Sequence, residues 1–542
     1  MKIADYVRQV FVPGNVAVSA LRRAGLPIDI KRLEVTRDRL VRDMREYEKL
    51  VEGEAAKRGI NLKYSEAHTA PEGPLVELLF GAKGVCGEPK HMTASGKRPS
   101  TEQETLAEYA SLSMHREDDN PVAYAVMRVR SLQRGVSTYL NAFERTRRAD
   151  GACHPKFNWA VVRTARLSAE EPPVHQLPEK ADPEVAYAIK SVIVPRVRPA
   201  PSPEDWDPRK HGSCFRWDIV GAEAAIRAAM MTKLFCHQPS PLWEYLRLGR
   251  DPHARNAALI MNTAEFKPDG TPTWPKGSIE RDAAGKQTFF AKLFGGTWVT
   301  VQATVKREAR LDWTDEWAQT VSDRFDDGDP ALVELYQLDG HQLGTHGWVQ
   351  DAYGRRRFIG LPPDTSYRGV GPDGKCQWEY RSPIPARRRA LQRLLDRRWH
   401  QAANTPTQST NASDTLWMLA LSYLGEYVEL RVPPLWEGRG LLYPEAKGWR
   451  LHGGPGPGGR PFQAWHTNTV HDSGWGDCAP GYLEPLAKVM MRRCTALPLD
   501  WRLKADVPYR IELKVGPDQA NMIDYNKVAK RFGLELMNEL KA

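Results

Sequence analysis

The sequence predicts an α+β fold in which a small β-sheet lies among long helices. In residues 31–57, apolar side chains recur at helical spacing on an otherwise charged surface, which predicts a long amphipathic helix. Residues 213–220 have the composition of a short strand, residues 508–516 alternate like a half-buried strand, and residues 461–475 are typical of two strands joined by a turn. Acidic residues stand where these strands end, so we expect a small sheet with functional acids and mainly helical lobes around it.

Other segments complete this picture. Helices are predicted at about 120–146, 222–235 and 386–400, and residues 281–296 form a further helical segment. The Pro-rich stretch at 195–212 is too rich in helix and strand breakers for regular structure. No internal repeat or heptad array is present, so a repeat fold or a long coiled coil is excluded.

The composition of the chain favours some classes of protein and argues against others. The 542 residues carry a net charge of +10, which suits a polyanionic partner because Lys and Arg contact phosphates. The seven cysteines stand singly with no CxxC pair, which argues against a structural zinc site and against a disulfide framework. The start of the chain has no apolar signal-peptide core, and no apolar run reaches about 18 residues. We therefore expect a soluble, cytoplasmic chain that does not associate with membranes.

Two aspartates stand at strand ends. Asp218 closes the strand at 213–220, and Asp472 lies at the apex of the predicted strand–turn–strand. Carboxylates at the ends of adjacent strands can converge and hold two Mg²⁺ ions about 3.5–4 Å apart, an arrangement that serves in-line displacement at phosphorus. Taken alone, each aspartate is more often a cap or turn residue, so the metal hypothesis depends on the pair.

A third group of residues lies on the helical segment 281–296. Lys286, Phe290 and Phe294 are spaced at i, i+4 and i+8, which predicts a single stripe on one helix face. A cation one turn from an aromatic ring would suit a triphosphate attached to a stacked base. The alternative is a Phe stripe that faces the core while the Lys reaches solvent.

The order of these segments resembles family A DNA polymerases, the bacterial DNA polymerase I family. Asp218, the Lys286 helix and VHD at 470–472 are similar to motifs A, B and C of that family. Further similar segments occur in the family's order over roughly residues 15–520: SALRRAGLPIDIKRLE (19–34), GKRPSTEQETLAEYA (96–110), RTARLS (163–168) with EPPVHQLP, DPH (251–253), GRRRFIGLP (354–362) and NTPTQS (404–409).

The resemblance implies a right-hand polymerase architecture, with a helical thumb and fingers around an antiparallel β palm. The implied divisions are an N-terminal segment at 1–29, a thumb at 30–145, a palm region with motif A at 146–250, fingers with motif B at 251–352 and a palm region with motif C at 353–542. The last of these contains an apparent insertion at about 430–462.

The resemblance also assigns roles at the reacting centre. Asp218, Asp472 and the carbonyl of Ile219 would bind two Mg²⁺ ions, for which Mn²⁺ could substitute. Lys286 would neutralise the triphosphate and supply a proton to the leaving pyrophosphate.

The remaining roles concern the nucleotide and the DNA. Phe290 would stack on the nucleotide, and Glu223 would be the steric gate against a ribose 2′-OH. His253, Arg281 and Phe294 would complete the nucleotide site. The residues expected to contact primer–template DNA are Arg166, Asn404, Gln408 and His471.

Departures from the family's pattern lie in the same motifs. Phe294 replaces a tyrosine, so the usual phenol–carboxylate hydrogen bond to Glu223 cannot form. Ser473 replaces the glutamate that usually follows the motif C aspartate. Asp282 stands where the family has an arginine four residues before the lysine. Arg281 is one residue off, so it can serve only if the helix contains a one-residue bulge.

The expected function is template-directed extension of a primer 3′ end with dNTPs, by a monomer acting in phage or plasmid replication or in repair. The match begins near residue 15, so the sequence predicts no 3′–5′ proofreading exonuclease, and a separate proofreading or processivity protein could assist. Two alternatives stay open: a catalytically degenerate nucleic-acid-binding protein, and a related single-subunit RNA polymerase. Glu223 and the VHD motif favour deoxynucleotides over ribonucleotides.

Overall fold

The structure, a computed structural model, describes residues 6–93, 98–107, 109–110, 120–158, 162, 166–178, 182–234, 240–309, 311–361, 364–371, 375–424, 464–470, 473–495 and 510–537. The apparent insertion at 430–462 and the motif C residues His471 and Asp472 lie outside these ranges.

Helices account for most of the described chain. In chain order they are α1 (Val12–Ala24), α2 (Ile30–Lys57), α3 (Glu72–Phe80), α4 (Gln103–Ala107), α5 (Pro121–Arg134), α6 (Asn141–Thr146), α7 (Pro183–Ser191), α8 (Ala222–Ala229), α9 (Pro241–Arg247), α10 (Pro252–Met261), α11 (Lys286–Leu293), α12 (Trp298–Ala309), α13 (Asp315–Gly328), α14 (Pro330–His346), α15 (Pro385–Leu424), α16 (Leu483–Thr495) and α17 (Tyr525–Phe532). Four π-helical turns, Val7–Phe11, Gly135–Leu140, Met230–Leu234 and Glu280–Gly285, and one 3₁₀ turn, Val174–Gln176, adjoin them.

The strands are short. In chain order they are β1 (Leu26–Pro27), β2 (Ala152–Cys153), β3 (Lys156–Asn158), β4 (Ser168–Glu170), β5 (Ser213–Val220), β6 (Trp348–Gln350), β7 (Arg356–Phe358), β8 (Thr365–Val370), β9 (Cys376–Tyr380), β10 (Ala464–Val470), β11 (Ser473–Cys478), β12 (Arg510–Gly516) and β13 (Ile523–Asp524). Strand β5 has the predicted bounds 213–220. Strands also occupy the described parts of 461–475 and 508–516, with β11 continuing to Cys478; residues 461–463, 471–472 and 508–509 lie outside the described ranges.

Helix α2 forms where the apolar spacing predicts it. Asp29 caps its start, because the carboxylate accepts hydrogen bonds from the backbone N–H groups of Lys31 and Arg32. Leu33, Leu40, Met44 and Val51 are buried along one side together with Glu48, while the other charged residues of the helix are partly or fully exposed. An amphipathic helix is stabilised mainly by burying such a face, so the periodicity was sufficient to predict it.

Two of the other predicted helices differ from expectation. The segment at 120–146 contains α5 and α6 joined by a π-helical turn. The helix predicted at 386–400 is much longer, since α15 continues through Pro406 to Leu424. A proline inside a helix removes the backbone hydrogen bond to the residue four positions earlier, yet α15 continues through Pro406. The Thr410 hydroxyl donates to the carbonyl oxygen of Pro406 itself at 2.8 Å.

The central sheet has five antiparallel strands in the order β10-β11-β5-β12-β13. Strand β5 lies in the middle, and Phe215, Trp217 and Ile219 on one of its faces are buried in the largest apolar core. A Cβ at Gly474 would lie 2.4 Å from the Trp217 ring, so only glycine lets β11 pack against this indole. The Trp217 N–H donates to His466 Nε2 of β10 at 2.8 Å, which connects β5 to β10 across the intervening strand β11.

Because successive side chains alternate between faces, Asp218 lies on the face opposite that core. Arg216 shares this face and places its guanidinium 5.2 Å from the Trp475 ring centroid on β11. Within the described ranges, no helix combines the length and the apolar character needed to cross a lipid bilayer.

Candidate active site

Asp218 occupies a central position in the sheet. It lies next to the end of β5, with β11 on one side and β12 on the other. Its direct cross-strand partners are Ser473 on β11 and Glu512 on β12. Directly opposed residues in antiparallel strands point to the same face, with Cβ atoms about 4.5–5.5 Å apart. Two carboxylates, those of Asp218 and Glu512, therefore lie side by side on one surface.

The strands that flank motif C are described, although His471 and Asp472 are not. Strand β10 ends at Val470, and its cross-strand partner is Ser473, where β11 begins. The Ser473 hydroxyl donates to the Val470 carbonyl oxygen at 2.8 Å. Because Ser473 also pairs with Asp218, the residue that follows Asp472 in the chain is a direct neighbour of Asp218.

The donor set on this face suits a hard divalent cation. Carboxylate and carbonyl oxygens are the ligands that Mg²⁺ prefers, and Asp218 and Glu512 supply oxygens on the same surface. Among the residues that the structure describes, no group of three or more His, Cys, Asp or Glu side chains forms a ready metal cluster. Two carboxylates fill only part of the coordination shell of Mg²⁺, so waters or a substrate would supply the rest.

The helical segment with the candidate cations begins in a π-helical turn. Residues Glu280–Gly285 are π-helical, and α11 starts directly afterwards at Lys286. A π-turn closes i→i+5 hydrogen bonds and accommodates one extra residue, so residues five apart lie on the same side. Arg281 and Lys286 are five apart. The one-residue bulge that Arg281 requires is therefore present.

Arg281 is held by two carboxylates. Its Nη2 atom donates to Asp251 Oδ2 at 2.7 Å, its Nε donates to the same oxygen at 2.9 Å, and Nη1 contacts Asp282. Asp251 is itself the N-cap of α10 and accepts from the His253 backbone N–H at 2.9 Å. An anionic ligand that binds Arg281 must compete with these partners.

His253 lies beside this turn and between aromatic rings. Its ring centroid is 5.6 Å from that of Phe290 and 5.2 Å from that of Phe289. Burial lowers the pKa of His253 to about 4, and the positive charges of Arg281 and Lys286 act in the same direction against the opposing effect of Asp251. His253 is therefore neutral near pH 7.

Close packing holds the π-helical turn against α10. A Cβ at Gly285 would lie 2.5 Å from the His253 carbonyl oxygen and 3.0 Å from the Ala257 nitrogen. Only glycine permits this approach of two backbones. Gly285 thus determines how near the Lys286 end of the turn lies to His253.

The predicted stripe of Lys286, Phe290 and Phe294 is only partly correct. Helix α11 ends at Leu293, and Phe294 has φ −108° and ψ 25°, outside helical geometry. The reason is the Gly295–Gly296 pair, of which Gly295 has φ +75° and ends the helix. Phe290 and Phe294 are both partly buried and pack against the main core, so each ring is anchored on one side.

Glu223 lies in the first turn of α8, five residues after Asp218. A carboxylate at a helix N-terminus is favoured by the helix dipole. Arg166 Nη2 donates to Glu223 Oε1 at 3.1 Å, and each side chain is about one fifth exposed, 21% for Arg166 and 20% for Glu223. The structure thus joins two predicted residues that the sequence had assigned separate roles.

Asn404 and Gln408 lie one turn apart on α15 and line the same cleft, which has a volume of about 720 Å³. Arg356 and Arg357, from strand β7, also line this cleft. Basic and amide side chains in one cleft suit a nucleic-acid backbone with accessible base edges.

Comparison with known proteins identifies the family. The model of DNA polymerase family A matches residues 31–424. The chain belongs to DNA polymerase family A. The thermostable DNA polymerase I of Thermus filiformis is 22% identical over 369 residues, which are 68% of this chain and 38% of that protein. The chain thus spans 38% of the length of this curated relative.

A solved structure confirms the fold. The polymerase domain of Pol1 from M. smegmatis, in complex with DNA primer-template and dNTP, superposes with a TM-score of 0.64 at 15% identity, covering 94% of this chain and 70% of that one. The fold of this family A chain is therefore the α+β right-hand fold of polymerases, as the sequence predicted.

Sequence reasoning missed several residues that lie at the candidate site. Arg356 and Arg357 belong to the quoted GRRR turn, so three successive arginines were the available signal. Arg355, in contrast, is buried and donates to Asp351 Oδ2 at 2.7 Å, which is a structural role. Glu512 could not be found, because only strand pairing places it beside Asp218.

Proposed function

We propose that this chain is a template-directed DNA polymerase that extends a primer 3′ end with dNTPs. One observation carries the proposal: in a family A chain, Asp218 pairs directly with Ser473, the residue next to Asp472. Motif A thus lies on β5, and the neighbouring strand β11 begins at the residue that directly follows Asp472 in the chain. A protein that only binds nucleic acid has no need of this arrangement.

We assign the lobes of the chain as the thumb, fingers and palm of a right-hand polymerase. The proposed thumb is 30–145, the fingers are 251–352, and the palm comprises 146–250 and 353–542, after an N-terminal segment at 1–29. The central sheet lies within the proposed palm, and the helix that starts at Lys286 lies within the proposed fingers.

At the reacting centre, Asp218 and Asp472, with the carbonyl of Ile219, would hold two Mg²⁺ ions, for which Mn²⁺ could substitute. Such ions, when bound, activate the primer 3′-hydroxyl and stabilise charge on the leaving pyrophosphate. The carboxylates of Asp218 and Asp472 would hold these ions near the end of β5. Lys286 would neutralise the triphosphate and donate a proton to the pyrophosphate oxygen.

The nucleotide would lie along the start of α11. Arg281 and Lys286, on one side of the π-helical turn, would bind phosphate oxygens. His253, neutral near pH 7, would donate or accept a hydrogen bond there without adding charge. Phe290 would stack on the base and sugar, and Phe294 would close the site on its apolar side.

Primer–template DNA would contact Arg166, Asn404, Gln408 and His471. Asn404 and Gln408 share their cleft with Arg356 and Arg357, whose charges suit phosphates. The similar Pol1 domain is described in complex with primer-template and dNTP, which supports both partners for this chain.

The finer expectations from the sequence are also proposals. We propose that this chain contributes no 3′–5′ proofreading, acts as a monomer in the cytoplasm, and serves phage or plasmid replication or repair. A primer with a mismatched 3′ terminus tests the first point: without proofreading, the mismatch is retained and no nucleotide is released before extension.

Primer extension with Mg²⁺ tests the function itself. We expect dNTP-dependent extension that follows the template, requires the divalent ion and greatly prefers dNTPs over NTPs. Duplex binding without extension would instead support the degenerate binding protein, and equal use of NTPs would support the RNA polymerase alternative.

A further inference from the structure

The Arg166–Glu223 ion pair connects two parts of the site. Arg166 lies two residues before β4, the second strand of the β3–β4 pair, whereas Glu223 lies on α8, which follows β5. The Arg166 guanidinium donates to the Glu223 carboxylate at 3.1 Å. Both side chains are partly buried, so the pair is less screened by water than a fully exposed one.

The chain offers no phenol at position 294. Phe294 follows the end of α11 and packs against the apolar core, and its ring has no atom that could donate to a carboxylate. A gate carboxylate must be held in one place, because a mobile Glu side chain samples many rotamers and excludes a 2′-hydroxyl poorly. Arg166 provides a charged donor to Glu223 at this site.

Arg166 is itself well placed to hold its partner. With Leu167 and His175 it borders a small cleft whose other walls include Thr415 of α15 and Thr469 of β10. His175 Nδ1 is 3.0 Å from the Leu167 carbonyl oxygen, which fixes the backbone next to Arg166. The guanidinium therefore reaches Glu223 from an anchored segment.

We propose that Arg166 is a positioning residue for sugar selection: it holds the Glu223 carboxylate in the gate position and replaces the tyrosine donor that this chain lacks at 294. The proposal rests on the proposed polymerase function. It adds to the expected DNA contact of Arg166 a second role, that of selecting the 2′-deoxy sugar.

The test is the ratio of kcat/KM for dNTP to kcat/KM for the matching NTP, measured on wild type, Arg166→Gln, Glu223→Gln and the double variant. Arg166→Gln is expected to lower this ratio about tenfold, the effect of losing one charge-assisted hydrogen bond. Its use of dNTPs should also fall because Arg166 is proposed to contact the primer–template DNA, but the ratio isolates sugar selection. The double variant should match Glu223→Gln alone.

Two further variants sharpen the result. Phe294→Tyr in the Arg166→Gln background restores a phenol donor and is expected to recover part of the ratio. Arg209→Gln is the matched control, because Arg209 is an exposed arginine paired with Asp207 at 2.9 Å, and its ratio should equal that of wild type.

Contrary outcomes are distinct. If Arg166→Gln lowers dNTP and NTP use equally, or if its effect on the ratio adds to that of Glu223→Gln, the two residues act independently and the positioning role is wrong. If the wild-type chain extends no primer at all, the proposed function fails instead.

Discussion

The central sheet and the π-helical turn hold their functional side chains in different ways. Asp218 is placed by backbone register, because β5 is paired on both sides and cannot shift without breaking two ladders. Arg281 is placed by one irregular helical turn and by ion pairs with Asp251 and Asp282. We infer that the sheet holds its acidic residues rigidly. The cations of the turn, in contrast, can exchange their present ion-pair partners for a phosphate.

The largest expected effect is that of a substitution in the central sheet. Asp218→Asn should lower primer extension by about 10³-fold or more, because it removes the charge that holds a divalent ion at the reacting centre. Duplex affinity in a filter or anisotropy assay should stay near that of wild type. Asp205→Asn, at an exposed acid in the loop before β5, is the control and should extend normally. Normal extension by Asp218→Asn would refute the metal assignment.

The next effect tests the turn. Gly285→Ala places a methyl group 2.5 Å from the His253 carbonyl oxygen, so the turn must move away from α10. We expect the KM for dNTP to rise about tenfold and the free energy of unfolding to fall by about 1–3 kcal/mol, as for other overpacked sites.

Gly53→Ala is the matched control for that substitution. Gly53 lies inside α2, and a Cβ there meets nothing within 4 Å. This variant should leave KM unchanged and should raise stability by about 0.5–1 kcal/mol, because alanine loses less backbone entropy in a helix. An unchanged KM in Gly285→Ala would mean that the position of the turn does not matter for nucleotide binding.

A smaller effect concerns the neighbour of Asp218. Glu512→Gln removes a carboxylate that lies directly across the strand pair, while the side-chain shape is kept. Because this carboxylate is partly exposed and also faces Lys514 at 3.4 Å, we expect only about a threefold rise in the Mg²⁺ concentration for half-maximal extension. If Glu512→Gln lowered primer extension as much as Asp218→Asn, Glu512 would be a principal metal ligand. If the Mg²⁺ requirement did not change, Glu512 would have no role at the metal site.

The smallest effect concerns pH. The pKa of His253 is about 4 in the folded chain, below the value of about 6.5 for an unfolded histidine. Its neutral form therefore stabilises the fold above about pH 6.5, and this contribution is lost as the pH falls through about 4. Over about pH 6–8 the KM for dNTP should show no inflection due to His253, and the profile of His253→Gln should run parallel. An inflection that His253→Gln abolishes would contradict a neutral His253.

Much of this fold could be predicted from sequence because its signals are local. The apolar spacing in 31–57 predicts α2, because an amphipathic helix is stabilised by burying such a face. The β-type composition of 213–220 predicts β5 with its correct bounds. The helix predicted at 386–400 was too short, because α15 packs against α1 and α14 and continues through Pro406 to Leu424. Phe294 was placed on the helix because spacing alone does not show where Gly295 stops it.

For the candidate site too, some features could be predicted from the sequence and others required the tertiary structure. The sequence by itself determined the family, the identity of Asp218, Asp472 and Lys286 as candidates, and the need for a bulge before Lys286, since motif order and spacing are properties of the chain. Only the tertiary structure decided that a π-helical turn supplies that bulge, that Glu512 lies beside Asp218, and that Arg166 holds Glu223. Each of these depends on strand register or on contacts between distant segments, which local residue patterns do not determine.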